Sequence, residues 1–117
     1  MAKRNEEKRK YLRLNNPVEL EYILPDSNTV HTRVTKDISA TGLRFETTEK
    51  IEENSTLELK LKLPNLQNPV HVYGRVAWLK RVTLEDNAPF DVGVEFLKIE
   101  EDNKNTFLKY LCDLIYG

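Results

Sequence analysis

The sequence predicts a mainly β protein: a six-stranded antiparallel β-barrel with a C-terminal α-helix, preceded by a flexible basic N-terminal arm. Three observations carry that expectation. Apolar and polar residues alternate over six short stretches from Pro17 onward, the period-two pattern of half-buried strands. A helical period replaces it only near the C-terminus. The first fifteen residues carry neither period, and their charge stands apart from the rest.

The first strand reads from Val18, Leu20, Tyr22 and Leu24, which alternate with Glu19, Glu21 and Ile23. Pro25-Asp26-Ser27-Asn28 then supplies a turn. In the second, Val30, Thr32 and Val34 alternate with His31, Arg33 and Thr35, and the histidine is read as facing outward. After a break at 37–42, Leu43 and Phe45 face one way, Arg44 and Glu46 the other. The clearest strand is 56–63, where four leucines alternate with Glu58, Lys60 and Lys62. Pro64 to Pro69 ends it, since proline cannot continue a central ladder. The fifth, about 70–81, places Val70, Val72, Val76 and Trp78 on one face, so the tryptophan is read as a core residue. The sixth sets Val92, Val94 and Phe96 against Gly93 and Glu95. Phe107, Leu111, Leu114 and Ile115 then fall on one stripe of a helix of about 101–116. Closing six strands into a barrel removes the edges that an open sheet would have to protect.

The chain has 117 residues, which suggests one domain, with residues 1–15 as the arm and 16–117 as the barrel. Apolar residues make up 39% and charged ones 32%, the balance of a soluble globular protein. Apolar runs are far shorter than the roughly 20 residues that span a bilayer, so membrane insertion is not expected. The charged first ten residues lack the apolar segment of a signal peptide. With a single cysteine, Cys112, no intramolecular disulfide is possible, and the expected setting is cytoplasmic.

Net charge is −1, but residues 1–13 hold six basic and two acidic side chains, net +4, leaving −5 on the remainder. Such an arm is either a solvated leader or an anion-binding element. Catalytic readings find little. His31 and His71 sit in separate strands with no Cys or Glu-x-x-His partner, and read as solvated residues rather than metal ligands. Cys112 lies near the apolar stripe of the helix and reads as a small buried hydrophobe. The four glycines are scattered, so no glycine-rich phosphate loop exists. No cofactor or metal is expected.

Two segments are unlike scaffold. Arg9-Lys10-Tyr11-Leu12-Arg13 is an R-x-x-x-R pair, and guanidinium groups grip phosphate in a fork, stack on purines and donate to guanine O6 and N7. Asp37-Ile38-Ser39-Ala40-Thr41-Gly42 lies between two strands. It reads either as a hairpin turn whose Asp and Ser bond their own backbone, or as a base-reading segment. In the second reading Asp37 accepts from guanine N1–H and N2–H, Ser39 reaches a phosphate or base edge, and Gly42 allows close approach.

An R-x-x-x-R arm before a barrel, then D-x-S-x-x-G between its second and third strands, resembles the PilZ domain family. Gly74-Arg75-Val76-Ala77-Trp78 is similar to that family's G-x-V-x-W strand, and Gly93-Val94-Glu95-Phe96 to its G-V-x-F strand. The resemblance runs from about Lys8 to the terminal helix and implies a split-barrel receptor for cyclic di-GMP, without catalysis. It implies that Arg9 and Arg13 engage guanine and phosphate, that Asp37 bonds the Watson–Crick edge, that Ser39 adds a polar contact and that Gly42 admits the ligand. Lys8 stands where the family often has a further arginine. It attracts phosphate as a point charge without a planar fork, so one ligand or an intercalated pair per domain both remain open. A protein partner is implied, reached when the arm orders over the ligand. The rival readings are a PilZ-type protein-interaction module without nucleotide and, less favoured given the acidic body, a barrel that binds single-stranded nucleic acid.

Overall fold

A computed structural model describes residues 14–116 apart from 25, 65 and 86. Among the described residues the elements are β1 (Glu19–Ile23), β2 (Val30–Ile38), β3 (Gly42–Thr47), β4 (Thr56–Lys62), β5 (Val70–Arg81), β6 (Phe90–Ile99) and the helix α1 (Glu101–Tyr116). The strands close into an antiparallel barrel in the order β1-β2-β3-β6-β5-β4, with β1 returning to β4. Six strands and one late helix are therefore what the alternation predicts.

The period-two pattern explains the closure. Leu20 and Tyr22 of β1, Leu43 and Phe45 of β3, and Leu57, Leu59 and Leu61 of β4 all point inward and are almost fully buried. Val70, Val72 and Val76 of β5 and Val92 and Val94 of β6 complete the lining. Each such side chain contributes roughly 1.5–3 kcal/mol relative to exposure. The Tyr22 hydroxyl, deep in this core, is satisfied 2.8 Å from Thr47 Oγ1. Burial pushes the Tyr22 phenol above its usual 10.0, against a lowering by the Thr47 hydrogen bond and the nearby Arg33 charge.

Strand β2 departs from the sequence reading. Glu19 stands opposite Val34, Ile23 opposite Val30, and Tyr22 opposite His31. Directly opposed residues share a face, so the inward Tyr22 carries His31 inward with it and turns the valines to solvent. Val34 is 54% exposed, whereas the His31 ring stacks on Tyr22 at 5.0 Å with only 16% of its side chain accessible. The outward, solvated histidine expected from alternation is thus corrected by register.

Helix α1 packs on the barrel through Phe107 and Leu111, with Phe107 meeting Phe96 edge-on at 5.7 Å. Its start is tied to β5, where His71 N–H donates to Asn103 Oδ1 at 3.0 Å. The stripe does not bury as far as its periodicity implies. Leu114 and Ile115 are exposed, and Cys112 is exposed rather than a core hydrophobe. No helix among the described residues is long and apolar enough to cross a membrane.

Candidate functional site

The site is built where two strands lose their regular phase. In β2, pairing with β3 shifts between Thr35 and Asp37. Thr35 points inward, where its Oγ1 accepts from Val18 N–H at 2.9 Å. Strict alternation would send Asp37 inward too. The bulge instead places both Lys36 and Asp37 on the outer side and returns Ile38 to the core. In β5 the pairing with β6 shifts between Val76 and Trp78, with Ala77 as the extra residue. Val76 stays in the core and Leu79 packs against it, while Trp78 moves to the outer face. The core placement that alternation gives Trp78 is therefore overturned, and the bulge is the reason.

These phase changes set four residues in one row across the outer surface. Asp37 is paired with Arg44, Arg44 with Gly93, and Gly93 with Trp78. Three interstrand steps make the row about 14 Å wide. Gly93 seats the indole, because a β-carbon there would stand 2.1 Å from Trp78 Cε2. Beside this row Ser39, Thr41, Gly42, Ala77, Trp78, Gly93 and Glu95 line a shallow depression of about 210 Å³.

Charge on this face is organised around Arg44. Its Nε–H donates to Asp37 Oδ2 at 3.1 Å, and one terminal nitrogen lies 3.6 Å from Asp91 Oδ2. Lys36 joins the same network at 2.9 Å from Asp91 and 3.2 Å from Glu46. The hydrogen bond to Asp91 holds the Lys36 ammonium above its ordinary range. Only 8% of the Asp37 side chain remains accessible.

The turn reading of the 37–42 segment is met at Ser39 and not at Gly42. Ser39 does bond its own turn: its Oγ accepts from Thr41 N–H at 3.2 Å, and its N–H donates to the Gly42 carbonyl at 2.8 Å. Gly42, by contrast, has no left-handed backbone. It is required because a β-carbon would stand 2.3 Å from the Val94 carbonyl oxygen of β6. Asp37 bonds across the sheet to Arg44.

The first described residue, Leu14, is paired to β2 by one bridge. Leu14 N–H donates to the Ile38 carbonyl at 2.8 Å, and Ile38 N–H returns to the Leu14 carbonyl at 3.0 Å. Thr35 Oγ1 then donates to the Asn16 carbonyl at 3.1 Å, and Asn16 Nδ2 donates to the Tyr110 hydroxyl of α1 at 2.6 Å. The chain therefore joins the barrel beside the residue that separates Asp37 from Ser39. Lys8, Arg9 and Arg13 lie outside the described residues. Among the described residues, no group of three His, Cys, Asp or Glu is placed to hold a metal ion.

The PilZ domain model matches residues 7–112, which covers both signature segments, the barrel and most of the helix. The chain belongs to the PilZ domain family. No match is found among curated proteins. Among solved structures, this PilZ domain is similar to the Bacillus subtilis inhibitor of motility MotI/DgrA, with a TM-score of 0.73 at 14% identity over 92% of this chain and 51% of that one. It is similar to K. pneumonia MrkH in complex with c-di-GMP, with a TM-score of 0.74 at 18% identity over 92% of this chain and 52% of that one. The PilZ domain of Escherichia coli YcgR with c-di-GMP gives 0.66 at 15% identity, over 89% of this chain and 88% of that one. At such identities the likeness is one of fold. The PilZ domain described here spans about half the length of the MotI/DgrA and MrkH chains.

Arg44 escapes the sequence reading, and Trp78 is assigned by it to the core. Arg44 carries no signal beyond its outward place in an alternating strand. Trp78 carries one, as the last residue of the G-x-V-x-W segment, but alternation assigns it to the wrong face.

Proposed function

We propose that this PilZ domain is a non-catalytic receptor for cyclic di-GMP, held between the arm and the outer face of β2, β3, β6 and β5. The observation that carries the reading is the Leu14–Ile38 bridge, which roots the arm against the Asp37–Ser39 segment. The two motifs, separated in sequence, meet in this reading at one end of the row. In this reading Arg9 and Arg13 grip guanine and phosphate, with Lys8 adding long-range attraction for the anion. Asp37 accepts from guanine N1–H and N2–H, and Ser39 offers its hydroxyl. Gly42 keeps the turn close to β6, and Trp78 offers an aromatic wall at the far end. Similar solved folds with c-di-GMP bound, in MrkH and in YcgR, support the ligand class.

The mechanism follows from charge. An arm of net +4 has little apolar surface to offset its ordering entropy, and a dianionic ligand supplies the missing partner. The ordered arm then presents a changed surface to a downstream protein. Calorimetric titration with cyclic di-GMP, with GMP and cyclic di-AMP as controls, tests the reading. Binding of cyclic di-GMP far above cyclic di-AMP supports it, because adenine presents the wrong donors to Asp37. Equal affinity for both would mean that only phosphate charge is sensed. Hydrogen exchange over residues 8–13 should slow on binding, and equal protection with and without ligand would remove the ordering step.

A further inference from the structure

We infer that Arg44 is the positioning residue of the site: it holds the Asp37 carboxylate in the orientation that reads guanine, and so sets base specificity. The inference rests on the receptor reading above and goes beyond it by assigning the group that aims the reader.

The geometry singles Arg44 out. It is the cross-strand partner of Asp37, and it meets the carboxylate through Nε, the guanidinium nitrogen nearest the backbone. A bond at Nε leaves the outer edge of the fork to turn elsewhere, and here it turns toward Asp91 at 3.6 Å. Asp91 is itself anchored by Lys36 at 2.9 Å. The guanidinium is thus held between two carboxylates on different strands, and its plane is constrained from both sides. A carboxylate lacks intrinsic orientation about its terminal torsion, which is broad and roughly two-fold. Reading N1–H and N2–H together needs both oxygens in the plane of the base, so a fixed torsion is worth more here than charge alone.

Burial separates this pair from an ordinary strand ion pair. Asp37 is almost wholly desolvated, and a buried carboxylate requires a close donor. On the opposite side of the barrel, Lys62 meets Glu19 and Glu21 at 3.2 and 3.4 Å, but half in solvent, where such contacts impose no orientation. Gly93, next in the row after Arg44, carries no side chain that could displace the guanidinium.

The test compares cyclic di-GMP with its inosine analogue, which keeps N1–H and both phosphates but lacks the N2 amino group. Wild type should prefer the guanine ligand. Arg44→Met keeps the apolar stem and removes the donor. It should weaken cyclic di-GMP by about tenfold to a hundredfold, the scale of one lost charge-assisted contact, while the inosine ligand changes much less. The guanine-to-inosine ratio therefore collapses, and a merely structural role would not move that ratio. Arg44→Lys, which keeps the charge without the Nε donor, should restore stability but not the ratio. It also serves if Arg44→Met fails to fold. Equal loss for both ligands in the folded variants, or no loss for either, overturns the inference while leaving the receptor reading intact. A wild-type protein that binds neither ligand overturns both.

Discussion

The two sides of the barrel use the same materials to different ends. Along β1 and β4 the register runs without a shift, leucines alternate with charged residues, and the outer face carries solvated pairs such as Lys62 with Glu19 and Glu21. Across β2, β3, β6 and β5 the register breaks between Thr35 and Asp37, between Tyr73 and Gly74, and between Val76 and Trp78. There an aspartate is nearly buried beside an arginine, and a tryptophan lies outside the core over a bare glycine. Regular alternation makes a wall, and the bulges re-aim side chains to make the candidate site. The difference teaches that one barrel holds ion pairs of two kinds, solvated on the regular wall and, for Asp37 with Arg44, nearly buried at the carboxylate where the register breaks.

Substitutions can break or sharpen that contrast. On the regular side, Leu59→Ala removes a fully buried side chain and should cost about 2–5 kcal/mol in denaturant unfolding, with ligand affinity of the folded protein unchanged. A stable Leu59→Ala protein would mean that this wall is not the core. On the bulged side, Gly42→Ala sets a β-carbon against the Val94 carbonyl, which cannot move aside as a flexible side chain would. Overpacking of that kind costs about 1–3 kcal/mol, and here it should come with weakened ligand binding.

Tyr22 of β1 reaches across the interior to Thr47 of β3, so it reports on both halves. Tyr22→Phe should cost about 1 kcal/mol at neutral pH for the lost hydrogen bond. Because the folded-state pKa is raised above 10.0, the stability from keeping Tyr22 protonated is complete below 10.0 and is lost as pH rises through the folded value. Thermal melts between neutral and alkaline pH should therefore fall less steeply in Tyr22→Phe than in wild type. Lys36 and Lys62, raised by their carboxylate partners, are common to both proteins and leave that difference unchanged.

Trp78→Ala should shift stability by about 1 kcal/mol or less, since the side chain lies outside the core, while weakening the bound nucleotide. A core-sized loss would return Trp78 to the interior. The smallest effect belongs to Lys62→Met, for which no measurable change in unfolding midpoint is expected despite its two carboxylate neighbours. A clear loss there would erase the distinction between the two sides.

Element identity was legible in the linear chain because it depends on local period. The leucines of 56–63 can bury only one face of a strand, and the proline-bounded segment after them can only be a loop. The signature segments around Asp37 and Ser39 and the glycines at 42 and 93 were legible too, as residue types in order. Local alternation also has a fixed error. It carries phase forward from residue to residue, and one inserted residue inverts everything after it.

Trp78 follows such an insertion, whereas Val30, His31 and Val34 precede the bulge of β2 and are turned by their register against β1. The bulges at Lys36 and Ala77, and the register of β2 against β1, are set by hydrogen-bonded pairing between strands, which the period of one strand does not contain. Leu114 and Ile115 likewise share the stripe of Phe107, yet the barrel surface ends before it covers them. The row Asp37–Arg44–Gly93–Trp78 draws on residues from four strands, and the Leu14–Ile38 bridge sets the root of the arm beside it. Residue chemistry and strand period reside in the order of amino acids. Which chemistries become neighbours is decided by hydrogen-bonded register, a property of strand pairs rather than of any single strand.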